Sequence, residues 1–175
     1  MEMQERKIVI RPEAPQDQSA VFRINELAFG QPNEARLVDA LRPAARPYLS
    51  LAAVEGDQVV GHILFTPVTI EFEGSASSAL GLAPMAVIPE RQRQGIGSQL
   101  VREGLDECAR QGHGVVVVLG HPRFYPRFGF VTAATRGLRC EYPVPDEVFM
   151  VAELIPGALQ GRTGLVKYRP EFAEV

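Results

Sequence analysis

Residues 84–119 constrain this chain more than any other stretch. An apolar strand, Pro84–Ile88, runs through Pro89-Glu90-Arg91-Gln92-Arg93-Gln94-Gly95-Ile96-Gly97 into a helix that reaches about Gln111. Leu100, Val101, Leu105 and Cys108 fall on one stripe of that helix, and Gly112 stands where a left-handed C-terminal cap belongs. Val115–Leu119 then follows as an unbroken apolar run, the pattern of a central or parallel strand buried on both faces. The unit is a strand–loop–helix–strand crossover, and its glycine-bearing loop opens directly onto a helix N-terminus. The first N–H groups of a helix lack internal partners, and the macrodipole favours negative charge there. The loop is therefore an anion site by construction, and Arg91 and Arg93 are expected to add positive potential. A plain strand-to-helix turn has the same composition, so the loop alone does not decide its use.

The rest of the chain supplies a mostly antiparallel sheet around this unit. Lys7–Arg11 reads as a first strand. Asp17 or Ser19 is expected to cap a helix with Val21, Ile24, Leu27 and Ala28 inward, closed by Gly30 and Pro32. Asn33 is placed to cap a second helix carrying Leu37, Val38 and Leu41, with Pro43 beyond it. Leu49–Glu55 and Gln58–Thr66 flank Gly56-Asp57 as a hairpin. Pro67 interrupts, Val68–Phe72 resumes the extended pattern, and 73–78 is a polar turn before a strand over Ser78–Ile88. Phe124–Phe130 reads as a brief aromatic helical turn, and Phe149–Leu154 and Gly164–Tyr168 as closing strands. No repeat or linker divides the chain. The expected fold is one α+β domain over 1–175, of three-layer α/β type, with a mixed but mostly antiparallel central sheet flanked by helices.

Composition excludes several classes. The 175 residues are 46% hydrophobic and 22% charged, ordinary for a globular domain. A net charge of −3 disfavours nucleic acid as the main partner. No apolar run approaches the roughly 20 residues of a membrane helix, and the charged N-terminus is not followed by a signal-peptide core. No membrane partner and a cytoplasmic location are expected. Cys108 and Cys140 have no metal-type spacing and read as apolar filler. The three histidines, His62, His113 and His121, are scattered, so no metal is expected.

Two nucleotide-binding readings fail at the loop. A Walker-type loop needs Lys-Ser/Thr after its last glycine, and Ser98-Gln99 stands there. A dinucleotide fingerprint needs a third glycine where Leu100 stands, and an acid near the end of the next strand, which closes as Val118-Leu119-Gly120-His121.

The string Val87-x-Pro89-Glu90-x-Gln92-Arg93-Gln94-Gly95-Ile96-Gly97-Ser98-x-Leu100 resembles the acetyl-CoA pyrophosphate loop of the GNAT superfamily of N-acetyltransferases. Phe124-Tyr125-Pro126-Arg127-Phe128-Gly129-Phe130 resembles that superfamily's second signature, Tyr-x-x-x-Gly-Phe. The two occur in the expected order with Val115–Leu119 between them. Val59–Ile63, Gly81–Pro84, Leu119–Pro122 and the C-terminal strands resemble the YhbS-like group of predicted bacterial acetyltransferases, so the likeness spans nearly the whole chain.

The resemblance implies acetyl transfer from acetyl-CoA to a primary amine by direct attack on the thioester. Backbone N–H groups of Gln92, Arg93, Gln94, Gly95, Ile96, Gly97 and Ser98 would hold the pyrophosphate. The strand at Ala86, Val87 and Ile88 would take the pantetheine amides, and an N–H near Val87 would polarise the thioester carbonyl. Tyr125 would be the general acid for the departing thiolate. No motif fixes a base. Glu34, at the start of the second helix, and His121, after the central strand, are the candidates. A carboxylate in a first helical turn is also what the dipole alone favours, and a histidine at a strand end is also an ordinary hydrogen-bonded residue. Acceptor walls are expected near Phe29–Glu34, Phe65–Thr69 and the C-terminal strands. The acceptor, a small molecule or a peptide, stays open, as does a monomer or homodimer. A catalytically silent acetyl-CoA sensor is the rival reading.

Overall fold

The computed structural model describes residues 6–175. Its elements are β1 (Ile8–Pro12), α1 (Gln18–Phe29), α2 (Asn33–Ala44), β2 (Leu49–Glu55), β3 (Gln58–Phe72), β4 (Ser75–Val87), α3 (Ile96–Arg110), β5 (Val115–Leu119), β6 (Val131–Thr132), β7 (Leu138–Cys140), β8 (Phe149–Glu153) and β9 (Gly164–Lys167). These strands form one sheet in the order β1-β2-β3-β4-β5-β8-β6, with β9 joined to the far half of β3 and β7 joined to β9. Pairing is antiparallel except for β4 with β5 and β7 with β9. The expected mixed, mostly antiparallel sheet is the one observed.

Alternation along β3 sorts the layers. Gly61, Ile63 and Phe65 face α3: a Cβ on Gly61 would stand 3.1 Å from Leu100 Cδ1, and one on Gly104 would stand 2.7 Å from Phe65 Cζ. His62 and Leu64 face α1 and α2, where Leu64 packs with Val21, Leu37, Val38 and Leu41. The fold is thus helix pair, sheet, single helix. Two glycines let α3 lie close on the sheet, although a mid-helix glycine costs about 1 kcal/mol of propensity against alanine.

Several expectations need correction. Asp17 does not cap α1. Its carboxylate accepts from the Ala14 N–H (2.7 Å) and from Arg11 (2.6 and 3.0 Å), tying β1 to the turn before the helix. Leu27 is 42% exposed, and Asn25 takes a buried position on α1 instead. Pro32 holds the N-cap position of α2, Asn33 is its first residue, and Pro43 lies within its last turn. Pro67 does not interrupt. β3 runs unbroken for 15 residues because Pro67 falls between the reach of β2, which ends opposite Phe65, and that of β9, which begins opposite Thr69. A missing N–H leaves no ladder bond unmade at such an unpartnered edge. The turn after β3 is shorter than expected, with β4 beginning at Ser75. Beyond α3, His113 N–H reaches Cys108 O (3.0 Å), Gly112 N–H reaches Ala109 O (3.0 Å), and Gly112 has φ of 87°. This is the Schellman closure that its position suggests.

His62 belongs to a buried polar cluster on the α1–α2 face. Its Nε2 meets Ser50 Oγ at 2.8 Å and its Nδ1 meets the Asn25 amide at 3.4 Å. The Asn25 Nδ2 also donates to Val21 O (2.9 Å), so the His62 Nδ1 accepts and Nε2–H donates to Ser50. Glu13, held by Arg42 at 2.8 and 3.0 Å, closes the cluster. Complete burial pushes the imidazole down from 6.5 to about 3, helped by the charge of Arg42. A depressed folded-state value means that the unfolded chain binds the proton first. Stability is full above pH 6.5 and falls as the pH drops toward about 3. Urea unfolding should therefore lose about 1.4 kcal/mol per pH unit below pH 6, before carboxylates titrate at about pH 4. His62→Gln should flatten that slope between pH 6.5 and about 5; an unchanged slope would assign the acid sensitivity elsewhere.

Candidate active site

The site begins where β4 leaves β5. The two pair in parallel only over Leu80–Leu82 and Val116–Val118. In the β3–β4 ladder, Ile63 lies opposite Met85 but Phe65 opposite Leu82, so β4 carries an extra residue around Ala83-Pro84. A bulge bends the strand that contains it, and from there β4 runs on to Val87 with no β5 partner. Ile88 N–H is spent on Val60 O at 2.9 Å. By the alternation of an antiparallel ladder, Ala86 likewise bonds toward β3, while Met85 and Val87 turn their N–H groups to the open edge. The Val87 carbonyl accepts from the Gln92 side-chain amide (2.9 Å). Of the three strand positions expected to line a pantetheine, Val87 presents the open amide. Ala86 and Ile88 are buried beside it, and Met85 joins Val87 at the edge, which the residue pattern did not reveal.

Beyond this edge the chain turns through Pro89–Arg91 and enters the loop. The Gln92 N–H closes the turn onto Pro89 O (3.4 Å), so Gln92 contributes its side chain, and Gln94 Nε2 reaches Glu90 O (3.3 Å). Arg93 and Gly95 both take left-handed backbone, with φ of 64° and 84°. The first intrahelical bond runs from Gln99 N–H to Gly95 O (3.1 Å), which leaves Ile96, Gly97 and Ser98 as the uncapped first turn. Arg91 is not a free cation. Its guanidinium grips Glu55 (Nε to Oε2 2.7 Å), holding that carboxyl below its usual range and tying the loop to β2. Arg93 is exposed, with no ion pair among the described residues. Two further cations were missed: Arg127 stacks on Phe124 (5.1 Å to the centroid) and Arg102 on Phe128 (5.2 Å). For Arg127 the signal was its spacing from Phe124 within one short string, whereas Arg102 lies on α3 and meets Phe128 only in the fold.

Tyr125 lies at the head of the turn Tyr125–Phe128 and is 8% exposed. Its ring packs edge-on against Phe124 (5.0 Å) and Phe130 (5.6 Å). A Cβ on Gly120 would stand 2.8 Å from Tyr125 Cδ2, so the glycine just past β5 is the seat of the phenol. Burial pushes the hydroxyl up to about 12. Phe124 also touches the loop, its Cζ 3.8 Å from where a Gly97 Cβ would sit, with Met85 Cε at 3.5 Å. Loop, open edge and phenol therefore share the α3 face of the gap.

Neither base candidate has a buried side chain. Glu34 accepts from Gln31 Nε2 (3.2 and 3.4 Å) on the surface of α2. The His121 side chain is exposed, while its carbonyl accepts from Phe124 N–H (3.1 Å) and Tyr125 N–H (3.4 Å). A cavity of about 840 Å³ lies elsewhere, between the C-terminal half of α3 and Arg46–Leu51. Another, of about 380 Å³, opens on the gap itself and is lined from β4, β5 and the C-terminal segments; Phe29–Glu34 and Phe65–Thr69 do not contribute to it. Cys108 is buried in the core and Cys140 half-buried. Among the described residues, no group of His, Cys, Asp and Glu is arranged for a metal, and no helix is long and apolar enough to cross a membrane.

The model of the acetyltransferase (GNAT) domain matches residues 9–133. The chain belongs to the GNAT acetyltransferase family. The uncharacterized N-acetyltransferase YhbS of Escherichia coli K12 is 39% identical over 166 residues, covering 94% of this chain and 98% of that protein. The uncharacterized N-acetyltransferase YjhQ of the same strain is 44% identical over 136 residues, covering 75% and 74%. The crystal structure of Escherichia coli YhbS in complex with CoA superposes with a TM-score of 0.88, at 38% identity over 95% of this chain and 92% of that one. A GNAT family acetyltransferase from Brucella melitensis in complex with acetyl-CoA gives 0.77, at 35% identity over 95% and 99%. The chain is an N-acetyltransferase by family, as the two signatures suggested.

The two loop glycines have separable roles. Gly95 needs its positive φ, whereas a Cβ on Gly97 would meet only ordinary contacts of 3.5 Å and longer. Urea unfolding should show Gly95→Ala costing about 1–2 kcal/mol through left-handed strain. Gly97→Ala should be neutral or gain up to about 1 kcal/mol of helix propensity. An equal loss at both positions would contradict this division.

Proposed function

We propose that this chain transfers the acetyl group of acetyl-CoA to a primary amine. The observation that carries the reading is the open β4 edge, flanked by an uncapped helix N-terminus on one side and a buried phenol on the other. The residues fit the cosubstrate. Ile96, Gly97 and Ser98 offer N–H groups and a helix dipole to a diphosphate, with Arg93, Arg102 and Arg127 nearby as cations. Met85 and Val87 offer strand amides to an arm that itself carries amides.

Attack by the amine nitrogen forms the C–N bond and breaks the C–S bond, the electron pair leaving on sulfur. The Val87 N–H is the donor aimed along the open edge, suited to the oxygen that gains charge as the carbonyl is attacked. Tyr125 remains protonated at neutral pH because burial holds its hydroxyl at about 12. It donates to the sulfur as negative charge develops. A thiolate formed in the same dry surroundings has its own proton affinity raised, which offsets the weakness of a buried phenol as an acid. The amine's surplus proton passes to solvent. Neither Glu34 nor His121 is given this step, because their side chains lie at the surface.

Two substitutions separate binding from chemistry. Gly97→Glu places a carboxylate at the anion site and should abolish CoA binding by calorimetry while the circular dichroism spectrum stays native; retained affinity would refute the loop's role. Tyr125→Phe should keep CoA affinity and lower kcat about 10²–10⁴-fold, the usual scale of general acid catalysis. Unchanged thiol release would remove Tyr125 from the reaction. CoA binding without turnover of any amine would favour a silent sensor.

A further inference from the structure

We infer that the acceptor is a compact hydrophobic primary amine, seated in an aromatic cavity on the face of the gap opposite Tyr125. The inference rests on the acetyltransferase reading above and names its second substrate class. The cavity encloses about 380 Å³ and is bounded by Leu82, Ala83, Leu119, Tyr142, Tyr168 and Phe172. Leu82 and Ala83 stand where β4 breaks from β5, and Leu119 is the last residue of β5. The cavity therefore opens onto the gap that the β4 bulge creates. Its face is fixed by Tyr168: a Cβ on Gly81 would meet Val68 Cγ1 at 2.9 Å and Tyr168 Cε1 at 3.3 Å, away from α3. Gly81 pairs with Thr66, which shares the face of His62 and Leu64. The thioester position is thus reached from the α3 face by the phenol and from the other face by whatever fills the cavity.

The lining selects by chemistry. Tyr168 stacks obliquely on Tyr142 (5.8 Å between centroids, 32°) and edge-on against Phe172 (5.4 Å). No lining side chain carries a charge. A volume near 380 Å³ is at the small end of the roughly 300–1,000 Å³ typical of ligand pockets, enough for one ring on a short arm. The neighbouring carboxylate, Glu141, is engaged outside the wall by the Tyr168 N–H (2.7 Å), so a second charge, as on a polyamine or lysine, would lie against apolar walls, which is costly. The apolar walls also favour the neutral form of the amine itself. That form carries the lone pair, so the cavity supplies the nucleophile in its reactive state without a dedicated base, consistent with the surface positions of Glu34 and His121. Tyr142, Tyr168 and Phe172 act as specificity residues, touching the body of the acceptor rather than the reacting atoms.

The test is steady-state thiol release at saturating acetyl-CoA with 2-phenylethylamine, tyramine, hexylamine, spermidine, lysine and an alanine-initiated tetrapeptide. The expected result is a kcat/KM for 2-phenylethylamine about tenfold or more above those for spermidine, lysine and the peptide. Phe172→Ala, at a half-exposed position, should raise the KM for 2-phenylethylamine about tenfold with kcat and the acetyl-CoA Kd unchanged. Tyr168→Ala should act likewise, and Tyr168→Phe should restore the wild-type KM. A preference for spermidine, lysine or the peptide would overturn the aromatic-cavity inference and leave the acetyltransferase reading standing. So would an unchanged KM in Phe172→Ala. No thiol release with any amine, despite CoA binding, would overturn both.

Discussion

The structure turns on one broken pairing. β4 and β5 share a parallel ladder for three residues and then separate, which exposes backbone amides in the middle of a sheet. Unpartnered backbone donors away from water are costly, and folded proteins rarely leave them. The extra residue in β4 opposite Ile63–Phe65 makes the separation unavoidable, because two strands cannot stay in register when one bends away. The Val87 carbonyl has already been satisfied by the Gln92 amide, so a donor remains at the edge. That polarity suits an amide-bearing arm and a carbonyl oxygen acquiring charge. The same gap is bordered on both faces of the sheet, so in the proposed reaction two substrates would not compete for one entrance.

The elements around the gap work as its supports. α3 lies close to β3 because Gly61 and Gly104 remove the side chains that would hold it off. This places its uncapped N-terminus beside the end of β4. The Arg91–Glu55 pair anchors the loop to β2; only partly shielded from solvent, it contributes modest stability and serves mainly to fix where the loop lies. Gly120 allows the Tyr125 ring to settle over the end of β5. The glycines around the gap fall into two kinds: Gly61, Gly104 and Gly120 where two parts of the chain come close, and Gly95 and Gly129 where the backbone takes a positive φ.

Local patterns made the central unit legible. The helical stripe Leu100, Val101, Leu105 and Cys108, the closure at Gly112 and the apolar run Val115–Leu119 all depend on neighbours within a turn or a strand, and each appears as read except at Leu119, which is 37% exposed where the strand meets the gap. The brief helical turn at Tyr125–Phe128 and the helix opening after Gly95 were also legible, since both lie in short strings with fixed spacing. What escaped depends on distant partners. Arg91 reads as a free cation until Glu55, 36 residues away, is placed beside it. Pro67 reads as a break until the reaches of β2 and β9 along β3 are known. Leu27 has helical periodicity, yet Asn25 takes the buried place because His62 meets it from the sheet. The cavity walls Tyr142, Tyr168 and Phe172 are scattered through a C-terminal third whose strands are short, and no periodicity links them.

The charges that the site keeps are peripheral, and this shapes its chemistry. Glu13, Arg42, Glu55 and Arg91 are committed to pairs, His62 is held neutral by burial, and the cations near the loop would, on the proposed reading, serve an anion far from the reacting carbon. At the gap itself stand an N–H, a neutral phenol and apolar walls. On the proposed reading, acyl transfer between two such faces would need no net charge in the protein: the amine would arrive neutral, the thiolate would meet a donor, and the proton balance would be settled with solvent. In a dry site, a fixed carboxylate base would have to bear an uncompensated charge or take up a proton itself. Excluding it leaves desolvation to do on the amine what burial has already done to Tyr125, which is to favour the uncharged form.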